Sequence, residues 1–207
     1  MTASGWDRFA PSYGRQAFLE RNAIRTLLAL LAPRPEELLL DVGSGPASLL
    51  ALLAKRPGPP REVVGVDSSA AMLAHAPALP AGWRLECADA MSLPFEDASF
   101  DVVTASYLLH VLGSHERAAA IGEIARVLKP GGRLGTITIA PPRHPVAQAL
   151  TAPLQSLAER SEGRLRGLRS LDPSRELETA GLAETYRRRN LRGYPSLSLV
   201  AVKDLSR

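Results

Sequence analysis

Short apolar runs rich in Val, Leu, Ile and Thr recur along the chain at Leu38 to Val42, Val63 to Asp67, Trp83 to Ala88, Asp101 to Ala105 and Arg133 to Ala140. Each is nearly continuous in hydrophobicity, as expected of strands buried on both faces of a parallel sheet; half-exposed strands alternate instead. Segments with helical spacing lie between them. Pro46 to Arg56 has a proline at its first helical position, and Ser68 to His75 follows an Asp-Ser-Ser capping run. Ser114 to Leu128 places Ala118, Ile121, Ala125 and Leu128 on one stripe before Lys129-Pro130-Gly131-Gly132 stops it. Upstream, Gln16 to Leu31 sets Ile24, Leu27, Leu28 and Leu31 on one face and predicts a helix covering the sheet.

This alternation predicts βαβ units and an α/β, three-layer, Rossmann-like fold. The end of the chain departs from it. Leu182 to Leu191 and Ser196 to Lys203 are β-prone runs separated only by Arg192-Gly193-Tyr194-Pro195, too short for a parallel crossover, so they predict an antiparallel hairpin. A length of 207 residues suits one domain, divided into a helical lid or cover at 1–35, a core at 36–140, a substrate-side cover at 141–181 and the hairpin at 182–207.

Composition narrows the class. Hydrophobic residues make up 45% and charged residues 22%, the balance of a soluble globular protein, and no apolar run reaches the roughly 20 residues of a membrane span. The first nine residues carry no secretory leader pattern, so a cytoplasmic location is expected. One cysteine, Cys87, permits no internal disulfide and is expected to be buried and inert, and four scattered histidines lack the pairing of a metal site. Basic and acidic residues number 13 and 14 in 1–140 but 12 and 7 in 141–207. The basic excess reads either as an anion-attracting surface or as a solvated arginine-rich one.

The most informative stretch is Leu39-Leu40-Asp41-Val42-Gly43-Ser44-Gly45-Pro46-Ala47, a strand entering a glycine turn and then a helix. Glycines at 43 and 45 allow a close backbone approach to a ligand that a Cβ would block. The third position of a dinucleotide fingerprint is here Ser48, with the small residue one place earlier at Ala47, which argues against a nicotinamide dinucleotide. Asp41, two places before the first glycine, would repel a pyrophosphate and attract an ammonium group; its bland reading is a capping aspartate. Asp67 ends the second strand, where it can accept two ribose hydroxyls or cap the next helix. Asp89 can accept from an adenine amine while Ala90 offers its amide, or Asp89 can form an Asx-turn. Met72 either flanks the adenine or fills the core.

In this order and spacing the residues resemble class I S-adenosylmethionine-dependent methyltransferases, in particular the small-molecule group that includes the ubiquinone and menaquinone biosynthesis enzymes. The matching segments are 38–47, 63–73, 88–103 and Arg126-Val127-Leu128-Lys129-Pro130-Gly131-Gly132-Arg133-Leu134, and the resemblance covers residues 6 to 140. It implies a seven-stranded, mostly parallel sheet of order 3-2-1-4-5-7-6 with an antiparallel final strand. It also implies S-adenosylmethionine as cofactor, with S-adenosylhomocysteine as product. Gly43 and Gly45 would line the methionine part, Asp41 would lie near its amino group, Asp67 would hold the ribose, and Asp89 with Ala90 would read adenine. Ser44, Ser68, Met72 and Ser106 would complete that shell. Ala47 departs from the pattern, where a third glycine is commoner. The segment Trp6 to Tyr13 resembles the family's aromatic lid, with Tyr13 either a lid residue at the site or an anchor of the first helix.

Methyl transfer is an in-line displacement, so alignment in a water-poor site supplies much of the acceleration, and a phenol, alcohol or carbon acid also needs a base. His110, beyond the fourth strand, is the candidate base; packing behind the site is the competing role. His115 and His144 read as solvated. The expected partner is a small methyl acceptor. Two other readings share the cofactor: a non-catalytic adenosylmethionine-binding protein, and a nucleic-acid methyltransferase using Arg164, Arg166, Arg169 and Arg187 to Arg189. The latter is opposed by the absence of an Asn/Asp-Pro-Pro-Tyr/Phe run. A nicotinamide oxidoreductase would share the fold and Asp67, but the glycine spacing and the 88–103 segment oppose it.

Overall fold

The structure is a computed structural model that describes residues 7, 17–142, 152, 156 and 169–205. Its strands are β1 (Leu38–Val42), β2 (Glu62–Asp67), β3 (Trp83–Cys87), β4 (Phe100–Ser106), β5 (Leu128–Ile139), β6 (Leu182–Asn190) and β7 (Ser196–Lys203). They form a seven-stranded sheet in the order β3-β2-β1-β4-β5-β7-β6. The first five are parallel to their neighbours, and β7 runs antiparallel to both β5 and β6. The sheet order is the one the resemblance implies, and the hairpin is the one the short 192–195 connection predicts.

Helices α1 (Ala17–Leu31) and α2 (Ser48–Leu53) cover one face, and α4 (Ser114–Val127) and α5 (Ser174–Thr179) the other; α3 (Ala70–Leu73) is a single turn after β2. The two-residue period of the strands sorts the core. Leu39, Val63 and Val102 pack with Ile24, Leu27, Leu28 and Leu50, while Leu40, Val64 and Val103 pack with Ile121, Ile124 and Leu177. Both faces are therefore apolar, which explains the continuous hydrophobic runs. Burying each Leu, Ile or Val side chain contributes about 1.5–3 kcal/mol.

Three expectations are corrected. The helix predicted from Pro46 begins at Ser48, because Ala47 is left-handed at φ 57° and holds the chain in the turn for two more residues. Next, β5 begins at Leu128 and not at Arg133. Leu128 pairs with Phe100 and Arg133 with Val102, so Lys129 to Gly132 are accommodated as an irregularity within the strand. On α4, Ala118 is exposed, and the buried stripe runs through Arg117, Ala120, Ile121, Ile124, Ala125 and Val127. Arg117 can occupy it because Nε and Nη2 both reach Glu176 of α5 at 2.7 Å, clamping the two helices.

Two of the matching segments are tied together by Arg126. Its guanidinium donates to the carbonyls of Leu93 and Phe95, to Asp97 and to Glu123, while Phe95 meets Phe100 edge-on at 5.1 Å. The 93–100 loop is thus held on α4. No described helix is long and apolar enough to cross a membrane.

Candidate functional site

At the carboxyl end of β1 the chain makes a turn in which residues 43, 45 and 47 all have positive φ, at 72°, 52° and 57°. Gly43 has a second reason to be glycine, since a Cβ there would lie 3.0 Å from the Leu108 side chain. The amides of Gly43 and Ser44 both donate to the Val66 carbonyl, fastening the turn to β2. Ala47 carries the left-handed strain that a glycine would avoid.

Asp41 lies beneath this turn, 2% exposed. One carboxylate oxygen accepts from Thr104 Oγ1 at 2.6 Å and the other from Ser44 Oγ at 2.9 Å. Burial pushes its pKa up to about 6, the two hydroxyls hold it down in part, and the neighbouring Asp67 charge raises it further. Asp67 spans the turn and the following helix: Oδ2 accepts the Gly45 amide at 2.8 Å and Oδ1 the Ser69 amide at 2.9 Å. Its pKa is also raised, chiefly by burial, against the two amide bonds and with a contribution from Asp7. Each oxygen retains lone-pair capacity for a further donor.

The cap of α3 is Ser69, whose hydroxyl accepts from the Met72 amide and donates to Asp7. Ser68 is exposed at the strand end, and a Cβ placed on Gly45 would meet the Met72 methyl at 3.4 Å, so Met72 borders the turn. Asp89 is exposed and closes an Asx-turn onto the Met91 amide at 2.9 Å, with Ala90 partly covered between them. Cys87 is a correction: it is exposed at the end of β3, opposite Asp67 in register, with its thiol toward the Ser68 carbonyl. A five-residue edge strand does not bury its last position.

Between α1 and the turn lies a pocket lined by Glu20, Ile24, Asp41, Gly43, Ser44, Gly45, Pro46, Ser48, Leu49, Ser106 and Tyr107. Two of these are carboxylates, and none is a lysine or arginine. Ser106 Oγ is buried and has no hydrogen-bond partner among the described residues. Such an orphaned hydroxyl in a pocket wall suits a polar ligand. Tyr107 follows with φ 58°, and its hydroxyl meets Ser196 Oγ at 2.7 Å. Burial pushes that phenol well above its usual range.

The structure brings Asp41, Gly43, Ser44, Gly45 and Ser106 to one pocket, with Asp67 and Met72 against the same turn. His110 is 3% exposed and lies edge-on to Tyr107 with ring centroids 6.0 Å apart, outside the pocket lining. His115 is exposed on α4, while Tyr13, His144, Arg164 and Arg166 lie outside the described residues. Three of the described arginines of the last third have local partners: Arg187 pairs with Asp172 and Glu184, Arg189 donates to the Pro141 carbonyl, and Arg169 to that of Leu112, while Arg188 is exposed on β6. Sequence reasoning missed Glu20 and Tyr107. The signal for Glu20 was present, because position 20 continues the Ile24, Leu27, Leu31 stripe and carries a charge where an apolar residue is due.

Residues 39–132 match a family model described as a methyltransferase domain. The demethylmenaquinone methyltransferase of Thermus thermophilus is 37% identical over 135 residues, covering 63% of this chain and 58% of the relative. The malonyl-[acyl-carrier protein] O-methyltransferase of Pseudescherichia vulneris is 32% identical over 158 residues, covering 74% of this chain and 61% of the relative. The chain thus spans somewhat over half the length of these two relatives. In fold, the Burkholderia thailandensis 1,6-didemethyltoxoflavin-N1-methyltransferase, solved with bound 1,6-didemethyltoxoflavin and S-adenosylhomocysteine, superposes with a TM-score of 0.69 at 18% identity, covering 98% of this chain and 87% of that one. The family match, the sheet order and the strand-end motifs agree, and residues 39–132 are a methyltransferase domain of the class I, S-adenosylmethionine-dependent kind.

Proposed function

We propose that this protein transfers a methyl group from S-adenosylmethionine to a small-molecule acceptor. The observation that carries the reading is the pocket itself. It holds two carboxylates, an orphaned Ser106 hydroxyl and a positive-φ turn, and among the described residues no lysine or arginine lines it. That lining fits a ligand with a cationic amino-acid end and disfavours a pyrophosphate. The cofactor supplies a methyl group activated by a sulfonium.

The chain's residues bind and orient. Asp67, already fastened to the Gly45 and Ser69 amides, presents its remaining lone pairs to the ribose hydroxyls. Gly43 and Gly45 let the turn approach the amino-acid chain, and Ser106 closes that wall. Met72, bordering the turn at Gly45, flanks the adenine side, while Asp89 and Ala90 at the end of β3 lie where the base is read. Helix α1 lines one wall of the pocket through Glu20 and Ile24 and helps to exclude water from it. His110 acts through Tyr107, against whose ring it packs.

The pairing of Arg187 with Asp172 and Glu184 supports a small acceptor over a nucleic acid, as do the acceptors in the relatives' names. The reading is tested by incubating the protein with methyl-labelled S-adenosylmethionine and a panel of quinols, phenols, carboxylic acids and amines, with duplex DNA and RNA alongside. Label is expected in a small molecule; label only in nucleic acid, or in none of the panel across the pH range, contradicts it.

A further inference from the structure

We infer that the Ser106 hydroxyl donates to the carboxylate of the cofactor's amino-acid end. This rests on the cofactor reading above and assigns a donor to one part of the ligand. That end is a zwitterion. The pocket has two carboxylates in its wall and, among the described residues, no lysine or arginine, so the ligand's negative group has to be held by neutral donors.

The glycine turn has spent its own donors. The Gly43 and Ser44 amides go to the Val66 carbonyl, the Gly45 amide to Asp67 and the Ala47 amide to the Ser44 carbonyl, while Pro46 has no amide hydrogen. The Ser44 hydroxyl is given to Asp41, and that of Tyr107 is engaged with Ser196. Among the described residues of the lining, Ser48 and Ser106 keep hydroxyls that bond to no protein group. Ser48 is half-buried at the start of α2, where water can serve it. Ser106 Oγ is itself buried, and a buried hydroxyl without a partner costs stability, so its place in a pocket wall points to a partner that arrives with the ligand. Ser106 ends β4 in register with Ile137 of β5, and the Tyr107 amide that follows donates to the Ile137 carbonyl at 2.7 Å. The hydroxyl therefore stands on a fixed backbone, and one staggered step of its side chain redirects it.

The test is a cycle between one residue and one ligand group. Calorimetry would compare, on the wild type and on Ser106→Ala, S-adenosylhomocysteine, its analogue lacking only the carboxylate, its analogue lacking only the amino group, and 5′-methylthioadenosine, which lacks both. The variant is expected to bind the ligands that keep the carboxylate at least about tenfold more weakly, and those that lack it within about twofold of wild type. Its melting temperature without ligand should be no lower than that of the wild type, because the hydroxyl removed has no partner in the free protein. Unchanged affinity for S-adenosylhomocysteine, a loss that follows the amino group, or equal loss of every ligand overturns the assignment. A variant that fails to fold overturns it too, since the hydroxyl would then be structural. On the wild type itself, a preference below about threefold for S-adenosylhomocysteine over its decarboxylated analogue leaves no charge-assisted bond to assign. A folded wild type that binds none of these ligands overturns the cofactor reading itself, which is a different result.

Discussion

Carboxylates on the inner strands and at the outer edge of this sheet behave in opposite ways. Around the glycine turn, buried Asp41 and half-buried Asp67 sit among hydroxyls and amides, and loss of water holds both pKa values high. On the outer edge, Asp172 and Glu184 sit around Arg187, which donates to both, and they are held low. For Glu184 the arginine bond leads; for Asp172 burial pulls upward but the Arg187 and Ser174 bonds outweigh it. The outer pair is complete once the chain has folded. Burial disfavours the charged form of the inner pair, a cost that a cationic, hydroxyl-rich ligand would offset.

The largest effect is expected at Asp67. Asp67→Ala removes the acceptor proposed for two ribose hydroxyls, and at about 1.5–3 kcal/mol per charge-assisted bond it should weaken S-adenosylhomocysteine by roughly a hundredfold or more. It also strands the Gly45 and Ser69 amides, so the melting temperature without ligand should drop. Affinity that stays unchanged while stability falls would make Asp67 a turn brace only.

Asp41→Asn should move the two properties apart. The folded pKa of about 6 lies above the unfolded value near 3.8, so the folded state binds more protons between them and stability declines as pH rises through that window. The full cost at neutral pH is about 3 kcal/mol. The isosteric amide should remove most of that cost and flatten the dependence between about pH 4 and 6. In the wild type, affinity for the cationic ligand should fall as pH drops through about 6, and the variant should lose this dependence. Urea titrations and calorimetry across pH check both; an Asn variant less stable at neutral pH would contradict the picture of a strained carboxylate.

The smallest effect belongs to the outer edge. Arg187→Ala should cost under about 1 kcal/mol, since the side chain is 40% exposed, and should leave ligand affinity unchanged. The sign of its pH response is opposite. Asp172 and Glu184 have folded pKa values below their unfolded ones, so their contribution is present above the unfolded values and is lost as acid titrates the folded groups. A large loss of affinity in Arg187→Ala would give the basic edge a binding role.

The central strands and the glycine turn were legible because continuous apolar runs have one stable arrangement when a helix follows each of them. What escaped was set by single backbone conformations and by tertiary contacts. Nothing in Pro46-Ala47 announces that Ala47 turns left-handed, nor in Ser106-Tyr107 that Tyr107 does. The Lys-Pro-Gly-Gly run stopped the helix as read, but its accommodation inside β5 depends on pairing with β4. In the 88–103 motif only Asp89 and Ala90 were read as binding residues, and the structural work of Leu93, Phe95 and Asp97, which receive Arg126, depends on contacts with α4. Asp41 and Asp67 were legible as acids at strand ends, but not their division of labour, which needed the partners across the turn.

The account turns on the turn and its carboxylates forming an adenosylmethionine site, and titration calorimetry of the folded protein with S-adenosylhomocysteine and, separately, with NAD tests this most directly. The account predicts one S-adenosylhomocysteine bound per chain and NAD bound far more weakly, because its pyrophosphate would face the Glu20 and Asp41 carboxylates. Comparable affinity for NAD, or no heat and no thermal shift with S-adenosylhomocysteine, would contradict it.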